Sequence, residues 1–329
     1  MTTSAAAERE IAFLHRLDGV RGDAVMVGTT SARLRQASFL DGRERFWSSE
    51  TLQPLHLPHR GEQAASRFIF HVGFCGSTLL ARLLDNGRHI LALKEPQCLA
   101  DIASQREALR SGSAAAPLQA AIDHALDWLG ACAQEGGVVV VKPTNWVNLI
   151  VADLCPPERP VRAVFVSMER RAYLGAIFRG GRARIEFCMR LAGEVASLSA
   201  SFHDLLASAI RSSADPLDQA ARACAVLHAQ QEALFDSAIT ANRWPADVKV
   251  NFAELLSDRE AVLARVTRVL DLPPRHRDAA VPAVPHHAKD PSAGYAPKER
   301  AVEDAAIEAH HGARFDAALE WLERAGGSL

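Results

Sequence analysis

The chain has 329 residues, 48% hydrophobic and 23% charged, with a net charge of −2. That length allows one large domain or two ordinary ones. The near-neutral balance excludes a global pull toward nucleic acid or an anionic membrane, so any anion site must be a local patch.

Residues 1–65 read as an N-terminal extension packed on a main domain of residues 66–329. The start carries Glu8, Arg9 and Glu10 before its first apolar group and lacks the basic opening of a secretion signal. Ile11, Leu14 and Leu17 give a short amphipathic helix pattern, "AVMVGTT" a possible strand, and "PLHLPHRGEQ" a connector. From Arg67 the chain alternates. "FIFHV" predicts a buried strand and "STLLARLLD" a helix with Leu79, Leu80, Leu83 and Leu84 on one face. "HILALKEP" is a second strand and "LQAAIDHALDWLGACAQ" a helix. "VVVVKP" is a third strand, "NWVNLIVADL" a helix and "VRAVFVS" a fourth strand. Helices follow from Arg170 to about residue 241, then a fifth strand, "DVKVNF". Ser257 to Glu260 fits a capping box that opens a helix facing Val262, Val266 and Val269 to the core. Residues 273–297 read as a Pro/His-rich loop, and a last helix carries Phe315, Leu319 and Leu322. Continuous apolar strands fit a sheet buried on both faces. The expected fold class is therefore α/β, a doubly wound parallel sheet flanked by helices, with extra helices.

No apolar run approaches a membrane span, and no membrane partner is expected. The six cysteines are scattered and form no CxxC, so they read as reduced thiols of a cytoplasmic protein. The pairs His286-His287 and His310-His311 have neither helical i, i+4 spacing nor a cysteine nearby, and no metal is expected.

The stretch "HVGFCGSTLL" carries the chemistry. A strand, a tight glycine loop and a helix leave backbone N–H groups free at a helix N-terminus, where the helix dipole is positive. Gly73 and Gly76 let the backbone curl round an anion, and Ser77 and Thr78 add hydroxyls. Measured against a Walker loop, Ser77 stands where lysine is required and His71 where the first glycine is required. His71, inside an apolar strand, reads as a buried, hydrogen-bonded core histidine.

At these residues the chain resembles the sulfotransferases, whose first strand ends in a Pro-Lys/Arg-Ser-Gly-Thr-Thr loop, and most of all bacterial members with Arg-Ser-Gly-Thr-Thr-Leu-Leu. A second, weaker likeness lies in "VKVNFAELLSDREAVLARVTRVLDLP". Together the two segments bracket most of residues 67–273. The resemblance implies a P-loop fold that binds 3′-phosphoadenosine 5′-phosphosulfate (PAPS), with Gly73, Phe74, Cys75, Gly76, Ser77 and Thr78 around its 5′ end. It also implies transfer of a sulfuryl group to a hydroxyl or amine of a small-molecule or peptide acceptor. The chain departs from the pattern at three places. Phe74 replaces the loop cation, while Ser167 and Gly175 replace the Arg and Ser that hold the 3′-phosphate.

Other cations must then complete the site. The segment from Arg170 to Arg190 holds six arginines (170, 171, 179, 182, 184 and 190) and one acid, Glu186. Arg170 and Arg171 open the helix after the fourth strand and are candidates for phosphate. Lys142 and Lys94 end the third and second strands and are catalytic candidates. Glu95 is the candidate base; pairing with Lys94 or capping the next helix is its plain structural alternative. Lys289, in "PHHAKDPSAGY", resembles a residue of a segment that closes over the donor. Two alternatives stay open. One is a P-loop kinase or nucleotide hydrolase, weakened because the third and fourth strands end in Lys142 and Ser167 instead of Asp. The other is a non-catalytic nucleotide- or ligand-binding member.

Overall fold

The computed structural model describes residues 10–55, 66–273, 286–287, 290–294 and 297–325. The N-terminal part forms a small antiparallel sheet of β1 (Ile11–Asp18), β2 (Asp23–Thr29) and β3 (Ser49–Pro54), with a short helix α1 (Ser31–Gln36) between the last two. The Ile11/Leu14/Leu17 spacing thus belongs to a strand instead of a helix. Its register against β2 slips between Leu14 and Arg16, so Leu14 and Leu17 both reach the core despite their odd separation.

The main sheet has five parallel strands: β4 (Ser66–His71), β5 (Ile90–Lys94), β6 (Val138–Lys142), β7 (Val161–Ser167) and β8 (Lys249–Asn251). Their spatial order is β5-β6-β4-β7-β8. Each strand from the sequence is present, although "DVKVNF" shortens to three residues after a 3₁₀ turn at Ala246–Val248. Phe68, Ile69 and Phe70 of β4 are all fully buried, as a central strand covered on both faces requires.

Helices flank this sheet. They are α2 (Ser77–Leu84), α3 (Gln97–Arg110), α4 (Leu118–Gly130), the single turn α5 (Val151–Leu154), α6 (Arg170–Arg179), α7 (Gly181–Ala196), α8 (Ala200–Arg211), α9 (Pro216–Ala241), α10 (Phe252–Ser257), α11 (Arg259–Val269) and α12 (Pro297–Ala325). Two differ from the sequence reading. The "NWVNLIVADL" segment is a 3₁₀ turn, Asn145–Ile150, before α5, and its Asn148 and Asn145 side chains donate to the last carbonyl of β4, His71 O, and to Val72 O just beyond it. The cap of α11 is Asp258, whose carboxylate accepts from Ala261 N at 3.2 Å, while Ser257 ends α10.

The N-terminal sheet docks on the main one through β1 against α3 and α4, and α1 against β5. Asp101 of α3 accepts from Arg16 Nε at 2.7 Å and from Leu17 N at 3.1 Å. Leu40 continues the edge of β5: its N–H donates to Lys94 O at 2.7 Å, and its carbonyl accepts from Gln97 N at 3.2 Å. At the other end, α12 packs against α6 and α9. Among the described residues no helix is long and apolar enough to cross a membrane.

Candidate anion and acid–base site

The order β5-β6-β4-β7-β8 puts the first main-domain strand, β4, in the middle. Chain connections leave to both sides of it, which opens a crevice beyond its carboxyl end. The glycine loop fills that position. Gly73, Phe74 and Gly76 have φ of 97°, 58° and 75°. Three left-handed residues in four make a sharply curled backbone, and Phe74 holds such a conformation without being glycine. A Cβ on Gly76 would overlap the Phe252 ring, so only glycine fits.

The base of the loop is fastened by side-chain amides. Asn145 Nδ2 and Gln231 Nε2 both donate to Val72 O at 3.2 Å, and Asn148 Nδ2 donates to His71 O at 3.0 Å. His71 Nδ1 accepts from Gly73 N at 3.0 Å, which leaves Nε2–H to donate to Pro143 O at 2.9 Å. His71 is therefore a neutral core histidine that ties the loop to the end of β6.

Gly73 N is occupied in this way, and the open part of the loop is its far end. Gly76 caps α2 without a side chain. The first-turn N–H groups have no intrahelical acceptor. Thr78 is 2% exposed, and its Oγ1 has no partner. A buried hydroxyl in that state costs free energy unless something accepts or donates there. Ser77 is also buried, while Cys75 Sγ donates to Val166 O at 3.3 Å and serves packing. All six cysteines are free thiols in the interior.

One residue beyond Pro143's link to the loop stands Lys142, with no exposed surface. It is ion-paired to Glu95, and Arg43 Nη2 lies 3.2 Å from the other Glu95 oxygen. Glu95 N also donates to Lys142 O at 2.6 Å, so neighbouring strand ends lock the pair together. Glu95 has φ of 58°, a strained conformation for a residue with a side chain. The carboxylate keeps 11% exposure, enough for one face to meet solvent.

Lys94 does not join them. Its ammonium donates to Arg35 O at 2.8 Å and Leu34 O at 3.3 Å, capping the last turn of α1. Burial, with Arg82 nearby, lowers its pKa to about 8. Between pH 8 and its ordinary 10.5 the unfolded chain holds a proton that the folded chain has lost, so stability rises with pH across that window. Below pH 8 both states are protonated and the penalty, on the order of 3 kcal/mol, is constant. Chemical denaturation at pH 8 and 10.5 is expected to show this rise in the wild type and not in Lys94→Met; equal slopes would refute it.

The two arginines after β7 separate. Arg170 stays at the crevice: its Nη2 lies 3.7 Å from Glu232, and its buried Nε has no partner. Arg171 turns away to α12, where Glu308 and Asp316 hold it. Ser167 donates to Glu232 at 2.8 Å, and a Cβ on Gly175 would meet open space. His228, whose pKa is lowered by burial, donates through Nε2 to Met168 O at 2.9 Å and lies beside the same glutamate. Lys289 lies outside the described residues.

Two cations that the sequence reading did not assign to the site reach it. Arg43 comes from the N-terminal extension, with no local signal in "DGRERFW". Arg184 of α7 places its guanidinium 4.6 Å from the centroid of the Phe74 ring. Its only sequence signal was membership of the arginine-rich segment. Among the described residues no group of three or more metal-ligating side chains gathers. A separate cavity of 470 Å³ between α3 and α7, lined by Arg106, Glu194 and Ser197, shares no lining residue with the loop. No protein-family model, curated protein or solved structure matches the chain.

Proposed function

We propose that the protein is a group-transfer enzyme that takes the charged 5′ end of a nucleotide at the Gly73–Thr78 loop. More particularly, we read it as a sulfotransferase-like enzyme that moves a sulfuryl group from PAPS to a hydroxyl or amine acceptor. One observation carries this reading. An anion-type loop with an unpartnered buried hydroxyl, Thr78, is joined through His71 and Pro143 to the end of β6, where Lys142 pairs with Glu95.

In this scheme the donor's phosphosulfate lies against the N–H groups of Ser77 and Thr78. The acceptor oxygen forms a bond to sulfur while the bond from sulfur to the bridging oxygen breaks. The acceptor's proton passes to Glu95, and the nucleotide leaves with the negative charge. Lys142 and Arg43 hold the Glu95 carboxylate in place between attacks.

A second reading rests on Glu232. A carboxylate beside Ser167 disfavours a 3′-phosphate there and favours a ligand with a free hydroxyl at that point. The loop would then bind a different phosphorylated ligand, with or without catalysis. Calorimetric titration separates the two. The proposal expects adenosine 3′,5′-bisphosphate to bind at micromolar concentration. No heat at millimolar bisphosphate, with binding of adenosine 5′-diphosphate instead, would replace it by the second reading.

A further inference from the structure

We infer that Arg184 is the cation of the anion loop, brought in from α7 across the Phe74 ring. The inference rests on reading the loop as an anion site, and it names the residue that completes it.

Four observations converge on this arginine. Its guanidinium stacks over Phe74, the residue at the loop's most strained non-glycine position, at 4.6 Å from the ring centroid. Cation–π contact fixes the plane of the guanidinium while its edge N–H groups stay available. A single strong hydrogen bond, Nη1 to Ala176 O at 2.6 Å, orients the group from behind.

The charge is also uncompensated. Among the described residues no carboxylate pairs with Arg184, although it is half-buried. Its pKa is lowered, first by burial and then by the neighbouring Arg179. Arg300 adds a third positive charge. Asp304 bridges Arg179 and Arg300 and leaves Arg184 to itself. A half-buried guanidinium with two like neighbours and no acid paired to it among the described residues is a site short of one anion.

The backbone is shaped to admit it. A methyl group on Gly180 would overlap the Nε and Cζ atoms of Arg184, so the glycine at the α6–α7 junction is the opening through which the side chain passes. The α2 terminus, four residues along the same loop from Phe74, supplies the independent sign of a ligand, the buried Thr78 hydroxyl without a partner. The ligand class follows from the donors: a compact oxoanion, phosphoryl or sulfuryl, with one edge on backbone N–H groups and the other on the guanidinium.

Calorimetry with two probes, inorganic pyrophosphate and adenosine 3′,5′-bisphosphate, tests the inference on the full chain. Arg184→Gln keeps a donor for Ala176 O and removes the charge. It is expected to weaken pyrophosphate binding about 10–100-fold, the worth of one charge-assisted hydrogen bond, with the thermal midpoint little changed. Gly180→Ala displaces the guanidinium without deleting it and is expected to weaken binding in the same direction. The double variant Phe74→Lys/Arg184→Gln returns a cation to the loop itself and is expected to recover much of the loss, which a purely structural role for Arg184 does not produce. Binding unchanged in Arg184→Gln overturns the inference and leaves the anion loop standing. Loss that Gly180→Ala does not share and Phe74→Lys does not repair also overturns it. Binding of pyrophosphate but not the bisphosphate, with the Arg184 effects intact, upholds the inference and removes the PAPS reading. A wild type that binds neither probe overturns both.

Discussion

Glu95→Ala is expected to destabilise the protein by about 3–5 kcal/mol, the cost of leaving a buried charge without its counter-ion. Lys142 has no solvent-exposed surface, and among the described residues Glu95 is its carboxylate partner. When Glu95 is gone, no other carboxylate among the described residues is paired with its buried ammonium. Glu95→Gln keeps an oxygen for Lys142 and is expected to lose less stability, while removing the proposed base altogether. The double variant Glu95→Ala/Lys142→Met replaces the pair by apolar groups and is expected to regain most of the loss, because two desolvated charges disappear together. Urea denaturation of the four proteins measures this directly. A loss below 1 kcal/mol in Glu95→Ala would mean that the buried pair is not formed.

Gly76→Ala attacks the loop from the other side. At φ of 75° a Cβ costs about 1–2 kcal/mol for the left-handed backbone alone. Overlap with the Phe252 ring adds about 1–3 kcal/mol of overpacking. The expected sum is about 2–5 kcal/mol, together with loss of pyrophosphate binding, since the N–H groups of α2's first turn move with Gly76. Combining it with Phe252→Ala removes the overlap and leaves the backbone part. If Gly76→Ala is as stable as wild type by denaturation, the left-handed loop is not the solution structure.

The main sheet was legible because its strands are continuous apolar runs, and a strand buried on both faces can be written in few other ways. The N-terminal strand was not. Ile11, Leu14 and Leu17 repeat every three residues, and only pairing with β2, with its slip at Leu14, converts that spacing into a buried strand face. Glu95 and Lys142 were visible as strand-end residues, but their pairing depends on the parallel register of β5 and β6. Lys94 and Lys142 occupy matched register positions with the same sequence cue. What separates them is α1, whose carbonyls claim Lys94. Arg184 shows the limit from another direction. Nothing in a row of arginines tells which one is left without an acid, because that depends on which neighbours α12 supplies.

The contact between Arg43 and Glu95 spans 52 residues of sequence and joins the N-terminal sheet to the main one. Glu95 therefore draws its two counter-charges from different structural inheritances. Lys142 belongs to the parallel sheet, where changing it disturbs the core. Arg43 belongs to an exposed turn, where substitutions cost the fold little. Changes in that turn can remove one of the two cations held against Glu95 while strand, loop and helix stay as they are, so half of the carboxylate's ionic surroundings lies outside the sheet that carries it.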